Sequence, residues 1–305
     1  MEQVRRVLVY LSKDKAAPQR ARFVQSITGH FAGTSGDQAR VACSLQGRRF
    51  VLADAEHGVL LKRAPFCPFK HLSSGEAASL PAEVRSRGVD VGVAVLLQSS
   101  DQRLLLTRRA ASLRIFPNLW VPPGGHVEAD ERLLDAGLRE LREETGLNLN
   151  PKEFTSELLG LWESAYPPML SRELPQRHHI VTYMLLQSSL SHLQLQASLN
   201  PEPAEVSACL WVDAELVRAI VSAVDGEEQP ELLSANLPET VSMLEVSPGG
   251  QMTTSPLPVS VLCNRAPADG EDVERVSTGT KYALELWLKV WELQTTNNPS
   301  SKSIQ

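Results

Sequence analysis

Three glutamates, Glu140, Glu143 and Glu144, lie close together in the chain beside Arg139 and Arg142. On a helix, residues three and four apart occupy neighbouring turns of one face, so these carboxylates converge. Crowded carboxylates repel one another, and an oxygen-seeking divalent cation removes that penalty. Mg²⁺ typically takes one or two carboxylates and completes its shell with waters and phosphate oxygens. A metal held by Glu140, Glu143 and Glu144 can neutralise a diphosphate and activate water as a nucleophile. The competing use of such a face is a solvated surface with Glu–Arg pairs, each worth little.

The surrounding spacing decides between the two. From Gly125 to Leu147 the chain reads G-x5-E-x7-R-E-U-x-E-E-x-G-U, with U aliphatic, Glu131 as the first acid and Gly146 as the second glycine. At about 7% usage per residue type, a chance match has odds on the order of one in 10⁹ per start position. The pattern resembles the signature of the Nudix hydrolases. That resemblance implies hydrolysis of a diphosphate linked to another moiety, with Mg²⁺ or Mn²⁺ as cofactor. It implies that Arg139 orients a catalytic glutamate through an ion pair. It also implies a further acidic residue from a late loop, as metal ligand or general base, and Glu205 is the candidate.

Elements must hold these residues in place. Asp130 suits a helix N-cap, and Leu133, Leu134, Leu138 and Leu141 recur at helical spacing, so a helix is expected from about Glu131 to Thr145. Gly146 stands where a left-handed C-cap is usual. Strands are expected at 89–97, 104–109, 158–162, 179–186 and 209–212, with a short helix near 214–223. The run Trp120-Val-Pro-Pro-Gly-Gly125 should form a tight loop in which Gly124 and Gly125 bring backbone close to phosphates. Strands around a helix, then more strands and a helix, suggest an α/β/α sandwich with a mixed sheet, the fold that the Nudix resemblance also implies.

The chain has 305 residues, so three regions are expected. Residues 1–88 carry weak strand patterns (7–11, 49–52) and end in a linker-like stretch, 64–69 and 73–79. Residues 89–238 form the Nudix core. Residues 239–305 form an extension with hairpin character at 241–261, an amphipathic helix at 280–291 and a disordered tail from Thr295. The four cysteines form no C-x-x-C pair, which argues against a zinc ribbon and fits a reducing compartment. No apolar run reaches 18 residues and the N-terminus is too charged for a signal peptide, so a cytoplasmic protein without membrane spans is expected. Oligomeric state is not legible.

Substrate choice must come from outside the motif. The stretches 117–126, 160–168 and 275–281 resemble the branch of the family that hydrolyses N7-methylguanosine-capped RNA. That resemblance implies a nucleotide substrate, capped RNA, with release of N7-methyl-GDP. The net charge of −6 does not draw the whole protein to RNA, so a local basic surface is required. Arg108, Arg109 and Arg114 before the motif, and Arg172, Arg177, His178 and His179 after it, are candidates for phosphates; His126 is another polar group near them. Trp120, Trp162 and Tyr166 are candidates for stacking on a base, although tryptophans are more often core. A small-nucleotide diphosphatase acting on coenzyme A or a dinucleotide is the alternative. Part of the coenzyme A motif occurs at 105–110, but Asn118 and Pro122 depart from it, and the Ser-Gln-Pro-Trp-Pro motif of NADH diphosphatases is absent. A catalytically silent binding module would have lost motif glutamates, and this chain keeps all of them.

Overall fold

A computed structural model of the chain describes residues 6–14, 16–33, 35–226 and 237–297. Its spine is the strand Asp90–Gln98, every residue of which is buried. Alternation along that strand divides the interior. Val91, Val93, Val95 and Leu97 enter one core with Ala136 and Leu141 of the helix Leu133–Thr145. Ala94 and Leu96 enter the other, against Val217 and Ile220 of the helix Ala214–Ser222 and Leu284 and Trp287 of the helix Thr278–Asn297. Helices therefore cover both faces of the sheet, as the α/β/α reading expects.

The sheet is mixed. Asp90–Gln98 runs parallel to Arg177–Ser188 and antiparallel to Gly124–His126 and Leu104–Arg109. Leu104–Arg109 pairs with Val206–Val212, and the antiparallel hairpin Thr240–Val246 and Met252–Pro258 extends that side. No helix among the described residues is long and apolar enough to cross a membrane.

The strands of the N-terminal region are continuous with the central sheet: Leu61–Arg63 pairs with Leu161–Glu163, and Leu8 pairs with Asp90. One expectation about this region is corrected: the stretch read as a linker is packed. Phe69 lies stacked on His178 with ring centres 3.6 Å apart and meets Phe23 edge-on at 5.7 Å. Ser73 and Glu76 form a capping box that starts the helix Ser74–Ser79. Serine, glycine and alanine there mark a capped short helix rather than flexible chain. In the C-terminal region the hairpin forms, and the helix is longer than expected, Thr278–Asn297. The part of the expected tail beyond residue 297 lies outside the described residues.

Candidate active site

The carboxylate helix starts later than its sequence suggests. It spans Leu133–Thr145 with Arg132 as N-cap, and Asp130 has φ +71° in the preceding loop. Glu131 is drawn out of the helix because its carboxylate accepts from the Glu128 amide at 2.7 Å and from Arg139 Nη2 at 2.8 Å. The C-terminus is as expected. Gly146 adopts φ +76°, and a Cβ there would meet the Asn200 backbone at 2.9 Å. The Asn200 amide donates to Thr145 O, and the Glu202 amide donates to Glu144 O at 3.0 Å, which fastens the late loop to the end of the helix.

Arg139 organises the acidic face. Its guanidinium donates to Glu131, to Glu140 at 2.7 Å, to Glu143 at 3.1 Å and to the His126 carbonyl at 2.9 Å. The hydrogen bonds to Glu131 and Glu140 outweigh burial and hold the guanidinium charged well beyond its usual range. Gly124 and Gly125, expected in a tight loop, lie on the strand Gly124–His126, and Glu140 is pressed against it: a Cβ on Gly125 would stand 2.4 Å from its carboxylate. Burial raises the Glu140 pKa, aided by the charges of Glu143 and Glu205 and opposed by Arg139. Glu144 is buried, and the Gly124 amide donates to it at a long 3.4 Å. Burial first, then Glu140 and Glu205, push its carboxyl up to about 8, against Arg109 and the Gly124 amide.

This is a set of hard oxygen donors whose mutual repulsion Arg139 and Arg109 relieve only in part. Glu140 is close-packed on a glycine and Glu144 is poorly served by hydrogen bonds, so the residues suit a hard divalent cation. Glu143 completes the face and is the most exposed of the three, with half its side chain in solvent. Glu205 is exposed, yet its charge acts on Glu140, Glu144 and Arg109. It therefore stands at the rim of the same cluster.

Gly124 and Gly125 also line a cavity of about 240 Å³. Its apolar walls include Trp162, Tyr183, Phe66 and Phe116, and Arg275 and the start of the helix Thr278–Asn297 also line it. Trp162 is held at 32° to the Tyr282 ring with centres 5.4 Å apart. A pocket with aromatic walls beside a carboxylate cluster suits a nucleotide, with its base in the pocket and its phosphates at the helix.

A sequence profile described as the NUDIX domain matches residues 88–232. Over 294 residues the chain is 70% identical to "m7GpppN-mRNA hydrolase NUDT17" of Danio rerio, covering 96% of this chain and 98% of that protein. The chain belongs to the Nudix hydrolase family. Proteins of the same name from Xenopus laevis and Homo sapiens are 52% and 48% identical, over 94% and 93% of this chain and 96% and 88% of theirs. Among solved structures, DR0079 from Deinococcus radiodurans is 25% identical, with a TM-score of 0.32 over 51% of this chain and 84% of its own.

Within this Nudix hydrolase the sequence candidates separate. Arg139, Glu140, Glu143, Glu144, Gly124, Gly125 and Glu205 come together. Arg109 lines the cavity, its Nε and Nη2 donating to the Ile115 and Phe116 carbonyls at 3.0–3.3 Å. Arg108 does not line it; it pairs with Glu274 at 3.2 Å and Glu245 at 3.6 Å, because adjacent strand residues face opposite ways. Trp162 lines the cavity, whereas Trp120 is 0% exposed and donates to Glu274, so it has no face for a base. Tyr166 donates to the Arg114 carbonyl. Arg172 pairs with Asp272, and His178 is buried between Glu163 and the Phe23 carbonyl. Arg275 opens the stretch 275–281 already singled out for substrate choice, and it lines the cavity. The contributions of Phe66 and Tyr183 were not anticipated: the first lies in the supposed linker, and nothing local in the sequence marks the second as a cavity wall.

Proposed function

We propose that this Nudix hydrolase removes the N7-methylguanosine cap of RNA, releasing N7-methyl-GDP, with Mg²⁺ or Mn²⁺ at Glu140, Glu143 and Glu144. The observation that carries the reading is the junction of that acidic cluster with an aromatic-walled cavity at Gly124 and Gly125. The name m7GpppN-mRNA hydrolase, borne by relatives that align with nearly the whole chain, supports it.

The metal would offset the charge of the phosphate chain and ease ionisation of water. The chain's own residues do the rest. Arg139 holds Glu140 in one orientation through a 2.7 Å ion pair. Glu144 sits where burial disfavours its charge, a penalty that a bound cation would offset. Gly124 and Gly125, lacking side chains, let this segment lie close against the central strand and the Glu140 carboxylate. Trp162 offers a flat wall to the methylated base, whose positive charge favours an aromatic face. Glu205, at the rim, accepts a proton from the attacking water as one P–O–P bond breaks and a new P–O bond forms. The four free cysteines fit a reducing setting, and we place the protein in the cytoplasm.

A panel of capped RNA, coenzyme A, NADH and ADP-ribose at equal concentration tests the reading. Capped RNA should give the highest kcat/KM, with N7-methyl-GDP as product. Capped RNA ranking among the poorest would reject decapping in favour of a small-nucleotide diphosphatase. No turnover of any member would point to a binding module.

A further inference from the structure

Three strands bring a second set of metal-binding groups together beside the acidic cluster. His179 on Arg177–Ser188 lies directly opposite Asp90, and His126 on Gly124–His126 lies opposite Gly92, two residues along from Asp90. Residues two apart on a strand share a face, and Gly92 has no side chain to fill the space. One ligand atom from each of Asp90, His126 and His179 lies within 4.8 Å of the others. The two imidazole rings are 5.4 Å apart and tilted by 59°, so they converge rather than stack.

We propose that Asp90, His126 and His179 form a second divalent-cation site, separate from the glutamate cluster, which takes imidazole-favouring ions such as Zn²⁺, Co²⁺ or Ni²⁺ in preference to Mg²⁺. Two imidazoles and a carboxylate are the ligand types such ions select, whereas Mg²⁺ favours oxygen alone. Three protein ligands leave a coordination position open. Both histidines line the cavity, so that position is accessible to water or to a phosphate oxygen of a bound nucleotide.

Arg6 gives the site a built-in competitor. Its Nη2 pairs with Asp90 Oδ2, leaving Oδ1 for a cation. An arriving ion shares Asp90 with this guanidinium or displaces it, so Arg6 lowers the affinity of the site.

The test uses the full-length, metal-free protein titrated with Co²⁺ in excess Mg²⁺, read by visible absorption and by equilibrium dialysis. The expected result is one Co²⁺ per chain with the bands of nitrogen ligation. Affinity should fall by about tenfold or more in His126→Ala and in His179→Ala, given the losses that even outer partners of metal ligands cause. It should rise in Arg6→Ala and stay unchanged in Glu140→Gln. Circular dichroism checks that each variant is folded; His126→Gln, at an exposed position, serves if His179→Ala is not. Absence of a Co²⁺ site, indifference to the histidine variants, or loss of the site in Glu140→Gln instead would overturn the proposal. Co²⁺ bound as described in a protein that fails to hydrolyse capped RNA would overturn the decapping reading alone.

Discussion

Adjacent glycines in the strand Gly124–His126 should fail in opposite ways when each is changed to alanine. A Cβ at Gly125 would stand 2.4 Å from Glu140 Cδ and Oε2, whereas ordinary contact begins at 3.4 Å. The carboxylate must therefore retreat by about 1 Å, and a displacement of that size at a reacting centre costs about 100-fold. That factor corresponds to about 2.7 kcal/mol of transition-state stabilisation. The obstacle is the free end of a flexible side chain, so Glu140 swings aside against its Arg139 pair and the backbone stays put. At Gly124 the added Cβ would lie 2.2 Å from the Val93 carbonyl oxygen and 2.7 Å from Ala94 Cα. No rotation relieves a clash with the central strand, so overpacking of about 1–3 kcal/mol falls on the fold. Gly75→Ala is the control, because nothing lies within 4 Å of its Cβ position. The assay is kcat/KM for N7-methyl-GDP release at saturating Mg²⁺, paired with thermal melts. Gly125→Ala should lose about 100-fold in activity with a melting temperature close to wild type, and Gly124→Ala should melt clearly lower. Activity of Gly125→Ala within about threefold of wild type would refute the packing argument, and so would a melting loss equal to that of Gly124→Ala.

Three more expectations concern the cavity wall and the buried contacts behind it. Trp162→Ala should raise KM for capped RNA, whereas Trp120→Phe should leave kcat/KM unchanged and cost about 1 kcal/mol of stability through its lost bond to Glu274; equal kinetic effects would contradict the assignment of Trp162 to the pocket. Phe69→Ala should destabilise the protein by about 3–5 kcal/mol, because the ring is sandwiched against His178 and Phe23; a loss under about 1 kcal/mol in denaturant melts would mean that this segment is a linker after all. Burial disfavours the Glu163 charge, but hydrogen bonds from His178, Thr28 and Ile27 outweigh it and hold the carboxyl below its usual range. A lowered folded pKa gives stability that is complete above the ordinary glutamate value of about 4.3 and fades as pH falls below it. The stability advantage of wild type over Glu163→Gln, from denaturation at several pH values, should therefore shrink below about pH 4; an advantage independent of pH would contradict it.

The glutamate cluster was legible because helical spacing and a chemically motivated pattern point to the same residues. Gly146 was legible for a similar reason, since few residues other than glycine accept its conformation. The start of the helix was not. Asp130 has the composition of an N-cap, but the tertiary pair between Glu131 and Arg139 holds Glu131 in the loop and delays the first turn. Strand alternation should in principle separate Arg108 from Arg109, yet which face meets the cavity depends on strands far away in sequence. Trp120 and Trp162 pose the same problem, as each is an aromatic residue within a strand. The N-terminal strands pair with residues about 100 positions away, at Leu161–Glu163, and no local pattern announces such a pairing.

The central claim is that the cluster of Glu140, Glu143 and Glu144 carries out metal-dependent cleavage of the cap. Its most direct test is single-turnover hydrolysis of capped RNA by wild type and by Glu144→Gln, with Mg²⁺ or Mn²⁺ and with chelator. The substitution keeps the side-chain shape and removes the ionisable oxygen that faces the Gly124 amide. The account predicts N7-methyl-GDP release by wild type only with metal, and a loss of about 10³-fold or more in a folded Glu144→Gln protein, several kcal/mol of transition-state stabilisation. Full metal-dependent release of N7-methyl-GDP by Glu144→Gln would contradict it.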